Sequence, residues 1–299
     1  MKVRIGVGTQ QASDSGDALA AVASATHELG FDSLWLPDVL SAPVDDPLAG
    51  LAYLAGRVPK LKIGTTLVLP GRSPVRLARE LATLDRLSGG RLLVAMVPGI
   101  RRRRELEALG VAADDRGSQM DELLPLLRQL WSEDEVDHAG PHWTLRGARV
   151  EPKPAPGIDR LLWVGGTAPA ALRRAGALSE GWLPSLCTPD EAAAGRRVVE
   201  EHAAAAGRTV DPEHFGVSIG YLRSPAPPEL ATRLLARRAN LGPADPAELV
   251  PDSLDALRAL LERFVEAGFS KFVLRPIAPT RAWPEELGVL AGAVLDLQR

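Results

Sequence analysis

Short, continuous apolar runs alternate with longer amphipathic stretches from one end of this 299-residue chain to the other. The short runs are Val3–Val7, Ser33–Leu36, Lys62–Leu67, Leu92–Val97, Leu161–Val164, Gly181–Leu183, Phe215–Tyr221 and Lys271–Leu274. An uninterrupted apolar run is what a parallel strand covered on both faces requires. The stretches between them carry helix punctuation. Asp17–Leu29 stops at Gly30, a residue that readily takes the left-handed conformation ending a helix. Asp46-Pro47, Ser73-Pro74 and Thr188-Pro189 each set a capping side chain before a proline, whose missing N–H costs nothing in a first turn. Further helices are expected over Gln119–Trp131, Pro169–Leu178, Pro189–Ala206, Ser253–Ala267 and Pro284–Leu297.

Eight βα units in strict alternation fit either an open, doubly wound sheet or a closed ring. No break in composition divides the chain, and its length suits the closed form, which takes about 250 residues. The expectation is an α/β fold, a (β/α)8 TIM barrel, as a single domain over residues 1–299. Two segments exceed simple connections: Ser132–Asp159 before the fifth strand and Arg223–Asp252 after the seventh. Connections of that length are often lids or binding loops. The first should form a small hairpin around Trp143, and the second a short helix near Glu229–Ala239.

Composition removes several classes of function. Hydrophobic residues make up 45% and charged residues 24%, ordinary for a globular chain, and the formal net charge is −3. That balance offers no long-range attraction to nucleic acid or to anionic lipid. A single cysteine, Cys187, rules out an internal disulfide and reads as a pocket-lining or a small buried residue. No apolar run approaches the length that spans a bilayer, and the first residues form a strand pattern rather than a secretory signal, so a cytoplasmic location is expected. The five histidines, His27, His138, His142, His202 and His214, show no metal-ligand spacing, and neither a Walker loop nor a nucleophile elbow is present.

In a barrel the chemistry lies at the carboxyl ends of the strands, and several residues fall there. Asp38 follows Leu34-Trp35-Leu36-Pro37 and is either a function-facing carboxylate or a loop cap. Gly165-Gly166-Thr167 ends a buried strand just before a helix that carries Arg173 and Arg174. Glycines let backbone approach an anion and a helix start supplies donors, although an ordinary turn with a threonine cap would look the same. Arg101, Arg102, Arg103 and Arg104 follow Gly99 at another strand end. Four cations at a helix start oppose its dipole, so Glu105 and Glu107, solvent or an anionic ligand must offset them. Gly6-Val7-Gly8 lacks the third glycine of a dinucleotide fingerprint and reads as a tight turn closing the first strand.

Leu29-Gly30-Phe31-Asp32-Ser33-Leu34-Trp35-Leu36-Pro37-Asp38, Lys62–Leu67, Arg79–Leu92, Trp163–Thr167 and Gly181-Trp182-Leu183-Pro184-Ser185 together resemble the luciferase-like monooxygenase superfamily, in particular its coenzyme F420-dependent oxidoreductases. Met120–Leu124, Leu130-Trp131 and Glu151-Pro152-Lys153-Pro154 extend the resemblance over nearly the whole chain, and Asp85–Leu92 is its most specific part. The resemblance implies a luciferase-like barrel with a deazaflavin ring, or FMN as the alternative, over the strand ends, and hydride transfer to or from a small-molecule substrate. It places the cofactor phosphate on the amides of Gly165, Gly166 and Thr167 with Ser185 nearby, and a non-proline cis peptide at Thr66–Leu67 behind the ring. It further implies that Asp38 orients the reacting group, that Arg101–Arg104 meet an acidic cofactor tail or substrate, and that the chain is a homodimer.

Two departures bear on the chemistry. Many F420-dependent relatives carry a histidine after the strand-two aspartate as the proton donor or acceptor, whereas this chain has Val39, which cannot transfer a proton. Val97-Pro98-Gly99-Ile100 also lacks the usual polar, glycine-rich character. An FMN-dependent monooxygenase and a non-catalytic ligand-binding barrel are therefore the alternatives to an F420-dependent oxidoreductase.

Overall fold

The computed structural model describes residues 1–10, 13–99, 102–225, 227–236, 238, 241–278, 280 and 282–298. Ten strands are present among them: β1 (Arg4–Gly8), β2 (Ser33–Pro37), β3 (Lys62–Val68), β4 (Leu92–Val97), β5 (Val136–Ala139), β6 (Thr144–Ala148), β7 (Trp163–Val164), β8 (Gly181–Trp182), β9 (Gly216–Tyr221) and β10 (Lys271–Pro276). Eight of these form one parallel sheet in the order β8-β7-β4-β3-β2-β1-β10-β9, and β5 and β6 pair separately as an antiparallel hairpin. The two sheet edges meet through single bridges, Trp182 with Phe215 and Ser185 with Ser218, so the sheet is a nearly closed barrel and not an open one. Each expected strand is found, with ends that coincide or shift by one or two residues.

Helices alternate with the strands as their punctuation requires: α1 (Gly16–Glu28), α2 (Pro47–Arg57), α3 (Pro74–Leu87), α4 (Arg103–Leu109), α5 (Asp115–Ser132), α6 (Pro169–Leu178), α7 (Pro189–Ala205), α8 (Pro228–Ala236), α9 (Pro246–Leu249), α10 (Leu254–Glu266) and α11 (Trp283–Val294). Asp46 caps α2 through the Ala49 amide, and Thr188 with Glu191 forms a reciprocal capping box on α7. Ala168, not Thr167, precedes α6, and no side chain caps that helix. The hairpin expected around Trp143 is β5–β6. Glu122 of α5 holds it, accepting from the Trp143 and His142 amides at 3.1 and 3.0 Å and lying 2.7 Å from His138 Nε2.

The barrel has two apolar layers. Ile5, Leu34, Ile63 and Leu67 point outward against Leu51, Leu54, Leu77 and Leu81 of the helices, and all of them are fully buried. Trp35, Ala95, Trp163, Leu183 and Val273, drawn from five different strand regions, fill the bore. Two glycines make room for Trp35. A Cβ on Gly64 would lie 2.6 Å from the indole, and one on Gly6 would lie 2.3 Å from Ser33 Oγ and 3.2 Å from the indole nitrogen. Gly6 and Gly8 thus lie within β1 as packing positions, which corrects their reading as a tight turn.

Below this plug, Lys271 Nζ pairs with Asp32 and lies 3.3 Å from Ser33 Oγ, and Lys62 Nζ holds the other Asp32 oxygen at 2.7 Å. Burial alone would raise the Asp32 carboxyl, but Lys271 and Lys62 outweigh it and hold the pKa at about 2. Burial pulls the Lys271 amine down to about 8, against the opposing pull of Asp32. The most specific sequence segment proves structural. Asp85 is fully buried and paired with Arg160, while Arg91 donates to the carbonyls of Ser88, Val58, Leu61 and Ala55 and thereby closes off the end of α2.

Candidate functional site

Because every barrel strand is parallel, Asp38, Thr66, Gly99, Gly165, Gly166 and Ser185 all reach the same carboxyl rim. On one side of it, the Asp38 amide donates to Thr66 O at 3.3 Å, and Asp38 Oδ2 accepts from the Val68 amide at 2.9 Å. Arg72 Nη2 lies 2.8 Å from the same oxygen, in a carboxylate whose side chain is only 7% exposed. The Arg72 Nε in turn donates to Val68 O at 2.8 Å. Asp38 is therefore an ion-paired tie between the ends of β2 and β3. Thr66 is partly exposed, whereas the Leu67 side chain is buried among the helices, so only the backbone of Leu67 can meet a ligand. The β3–β4 ladder runs unbroken through Thr66–Ala95, Leu67–Met96 and Val68–Val97. Among the described residues the one cis peptide is Glu151–Pro152, so the bond expected to be cis at Thr66–Leu67 is not.

Gly99 has φ +71°, and a Cβ there would stand 3.1 Å from Val68 Cγ1. Its carbonyl accepts from Arg116 at 2.9 Å. Arg101 and Ile100 lie outside the described residues. Arg102, at the start of α4, reaches Ser41 Oγ and Glu105, Arg103 pairs with Glu107 at 2.7 Å, and Arg104 is exposed. The cations on either side of that helix start are thus offset largely by carboxylates of α4 itself.

Next to β4 on the rim, the Gly165 amide donates to Met96 O at 2.9 Å as a continuation of the β4–β7 ladder. A Cβ at Gly165 would lie 2.7 Å from Val97 Cγ1 and 3.1 Å from Leu183 O, so this position must be glycine for the strands to approach. Gly166 is partly exposed at φ +104°, a backbone conformation that side chains resist, and its carbonyl accepts from the Trp182 indole at 2.9 Å. Gly166 and Thr167 lead through Ala168 into α6. Ser185 bridges to Ser218, and Leu186 after it is the one described non-glycine residue in the left-handed region, at φ +54°. Strain of that kind is concentrated at functional sites. Cys187, next in line, is buried, and burial pushes its thiol up to about 12.

Two further residues on the bore face escaped the sequence reading. Arg275 Nε donates to Ser218 Oγ at 3.0 Å, two positions above Val273 of the plug. The period-two pattern Lys271, Val273, Arg275 was the available signal. Two cavities flank the bore at this end, one of about 390 Å³ beside Arg72, Ser73 and Arg76, the other of about 160 Å³ beside Tyr221, Arg223 and Glu286. Among the described residues no cluster of His, Cys, Asp and Glu could hold a metal ion, and no helix is long and apolar enough to cross a membrane.

This architecture recurs among solved structures. An F420-dependent secondary alcohol dehydrogenase bound to an F420–acetone adduct superposes over 100% of both chains with a TM-score of 0.81 at 21% identity. The monooxygenase RslO1 from Streptomyces bottropensis does so over 99% of this chain and 100% of its own, with a TM-score of 0.77 at 19% identity. In sequence, the chain is 31% identical to a sulfoquinovose monooxygenase of Agrobacterium fabrum over 62% of this chain and 47% of that protein. It is 27% identical to an F420-dependent glucose-6-phosphate dehydrogenase of Microbacterium testaceum, over 52% of this chain and 49% of that one. The matched region is thus about half the length of these curated relatives. The model of the luciferase-like monooxygenase family matches residues 1–226, and the chain belongs to that family.

Proposed function

We propose that the chain is an oxidoreductase that uses coenzyme F420 to move a hydride to or from a small organic substrate at the carboxyl rim of the barrel. The observation that carries this reading is the arrangement of the rim itself. Thr66–Leu67 and Gly99, at the ends of β3 and β4, are followed along the same arc of the rim by Gly166, Thr167 and Ser185 at the ends of β7 and β8, above a bore floored by Trp35, Trp163 and Leu183. An apolar, aromatic floor suits the face of a planar ring. The start of α6, entered through a glycine and without a side-chain cap, suits a phosphate, because helix-start amides supply donors and positive potential.

The deazaflavin would supply the hydride-carrying carbon, and the chain would supply orientation and exclusion of water. Gly166 and Thr167 would hold the phosphate, with Ser185 beside them. Asp38 would act by position: tied to Arg72 and the Val68 amide, it fixes the segment after β3 against which a ring would rest. With Val39 next to it, neither residue is arranged to hand over a proton, so that proton would pass between substrate and water.

FMN is the second reading, supported by the 31% identity to a protein named as a monooxygenase. Titrating the purified protein with F420 and with FMN, followed by absorbance and fluorescence, separates the two. Saturable F420 binding is the expected result. Tight FMN binding without F420 binding would overturn the assignment in favour of a flavin enzyme, and binding of either without turnover would favour a ligand-binding barrel.

A further inference from the structure

The inward face of β10 reads Lys271, Val273, Arg275. Lys271 pairs with Asp32 beneath the plug and Val273 belongs to the plug; Arg275 is the next side chain up, partly exposed above an apolar floor. Its seat is built. A Cβ on Gly8 would stand 2.5 Å from Arg275 Cγ and 2.9 Å from Cδ, so the glycine of β1 clears the space in which the stem lies. Ser218 on the other neighbouring strand accepts from Nε at 3.0 Å and fixes the plane of the guanidinium. The second glycine of the first strand, Gly8, is thereby explained by a cation, not by a nucleotide turn.

A guanidinium recognises planar or tetrahedral oxyanions through paired N–H donors, and it does so most strongly where the surroundings exclude water. Resting on the function proposed above, we propose that Arg275, oriented by Ser218, binds an anionic group of the substrate, so that this enzyme acts on small organic acids bearing a carboxylate, sulfonate or phosphate. The apolar floor below would take the carbon skeleton, and the anion would fix which end of the molecule meets the cofactor.

The test is calorimetric titration of the cofactor-loaded protein with propionate, propanesulfonate and propyl phosphate, and with propionamide as the neutral control. Wild type is expected to bind at least one anion and to bind propionamide at least ten-fold more weakly. Arg275→Met should weaken that anion about 10- to 100-fold, the range of a lost charged hydrogen bond, and Arg275→Lys should weaken it less. The affinity for F420 or FMN should stay within two-fold in both variants. No anion binding by wild type, equal binding of propionamide, or an unchanged anion affinity in Arg275→Met overturns the proposal. So does a ten-fold loss of cofactor affinity with anion binding intact, which would assign Arg275 to the cofactor instead. Should Arg275→Met fail to fold, Ser218→Ala and Arg275→Lys carry the same comparison. If wild type binds neither cofactor, the oxidoreductase reading fails separately, and the same anion titrations on the cofactor-free protein still decide the role of Arg275.

Discussion

Arg72 and Asp38 are joined at 2.8 Å through the same carboxylate oxygen that accepts the Val68 amide, so the ends of β2 and β3 are tied by one acid. The pair is expected to behave as a unit. Asp38→Asn and Arg72→Met should each lower stability by about 2 kcal/mol, the scale of a hydrogen bond to a charged group. The double variant should cost at least about 1 kcal/mol less than their sum. Urea unfolding of the four proteins measures this, and strictly additive losses would show that the contact carries no coupling.

The ion network beneath the plug sets a pH dependence. Asp32 has a folded pKa of about 2 against an ordinary 3.8, so its contribution is complete above the ordinary value and is lost as pH falls through about 2. The shift corresponds to about 2 kcal/mol at 1.36 kcal/mol per unit. Lys271 runs the other way: with a folded pKa near 8 and an ordinary one of 10.5, its charge costs stability at neutral pH, and stability should rise as pH climbs through that window. Asp32→Asn should cost about 3 kcal/mol at neutral pH by stranding a buried charge, and it should flatten the acid limb between pH 4 and 2. An unchanged acid limb would mean that other carboxylates govern it.

Much of the ring was legible because buried parallel strands need continuous apolar runs, and because Pro and Gly mark helix ends independently of tertiary context. The two-residue strands β7 and β8 were legible for the same reason. What stayed hidden were partnerships across the ring. Asp38 and Arg72 are separated by 34 residues and Lys271 and Asp32 by 239, distances over which no local pattern signals a contact. The Asp85–Leu92 segment shows the converse: it identifies the family strongly, yet Asp85 and Arg91 serve the packing of strand and helix, away from the rim.

That separation is itself testable. Arg91→Met removes donors from carbonyls of Ser88, Val58, Leu61 and Ala55, and it should destabilise the protein by about 2–3 kcal/mol while leaving cofactor affinity within two-fold. A selective loss of cofactor binding would move this arginine into the site.

Gly166→Ala should do the reverse. At φ +104°, with Ala171 Cβ 3.2 Å from the added methyl, the turn into α6 must shift, and cofactor affinity should fall at least ten-fold. Circular dichroism would check that the barrel persists. Unchanged affinity would remove the phosphate from this turn.

Cys187 should be inert in the folded protein. Buried and with its thiol pushed up to about 12, it should resist a thiol reagent at pH 8 and react only on denaturation. Rapid labelling of native protein would show that the turn after Ser185 opens.

The ring is stitched unevenly. Continuous ladders bind β9 through β10, β1, β2 and β3 to β4, whereas β7 and β8 are two residues long and β8 meets β9 through isolated bridges alone. A barrel with such a seam has a preferred place to yield. Substitutions that widen the bore are expected to part the wall between Trp182 and Phe215 first, while the opposite arc keeps its register.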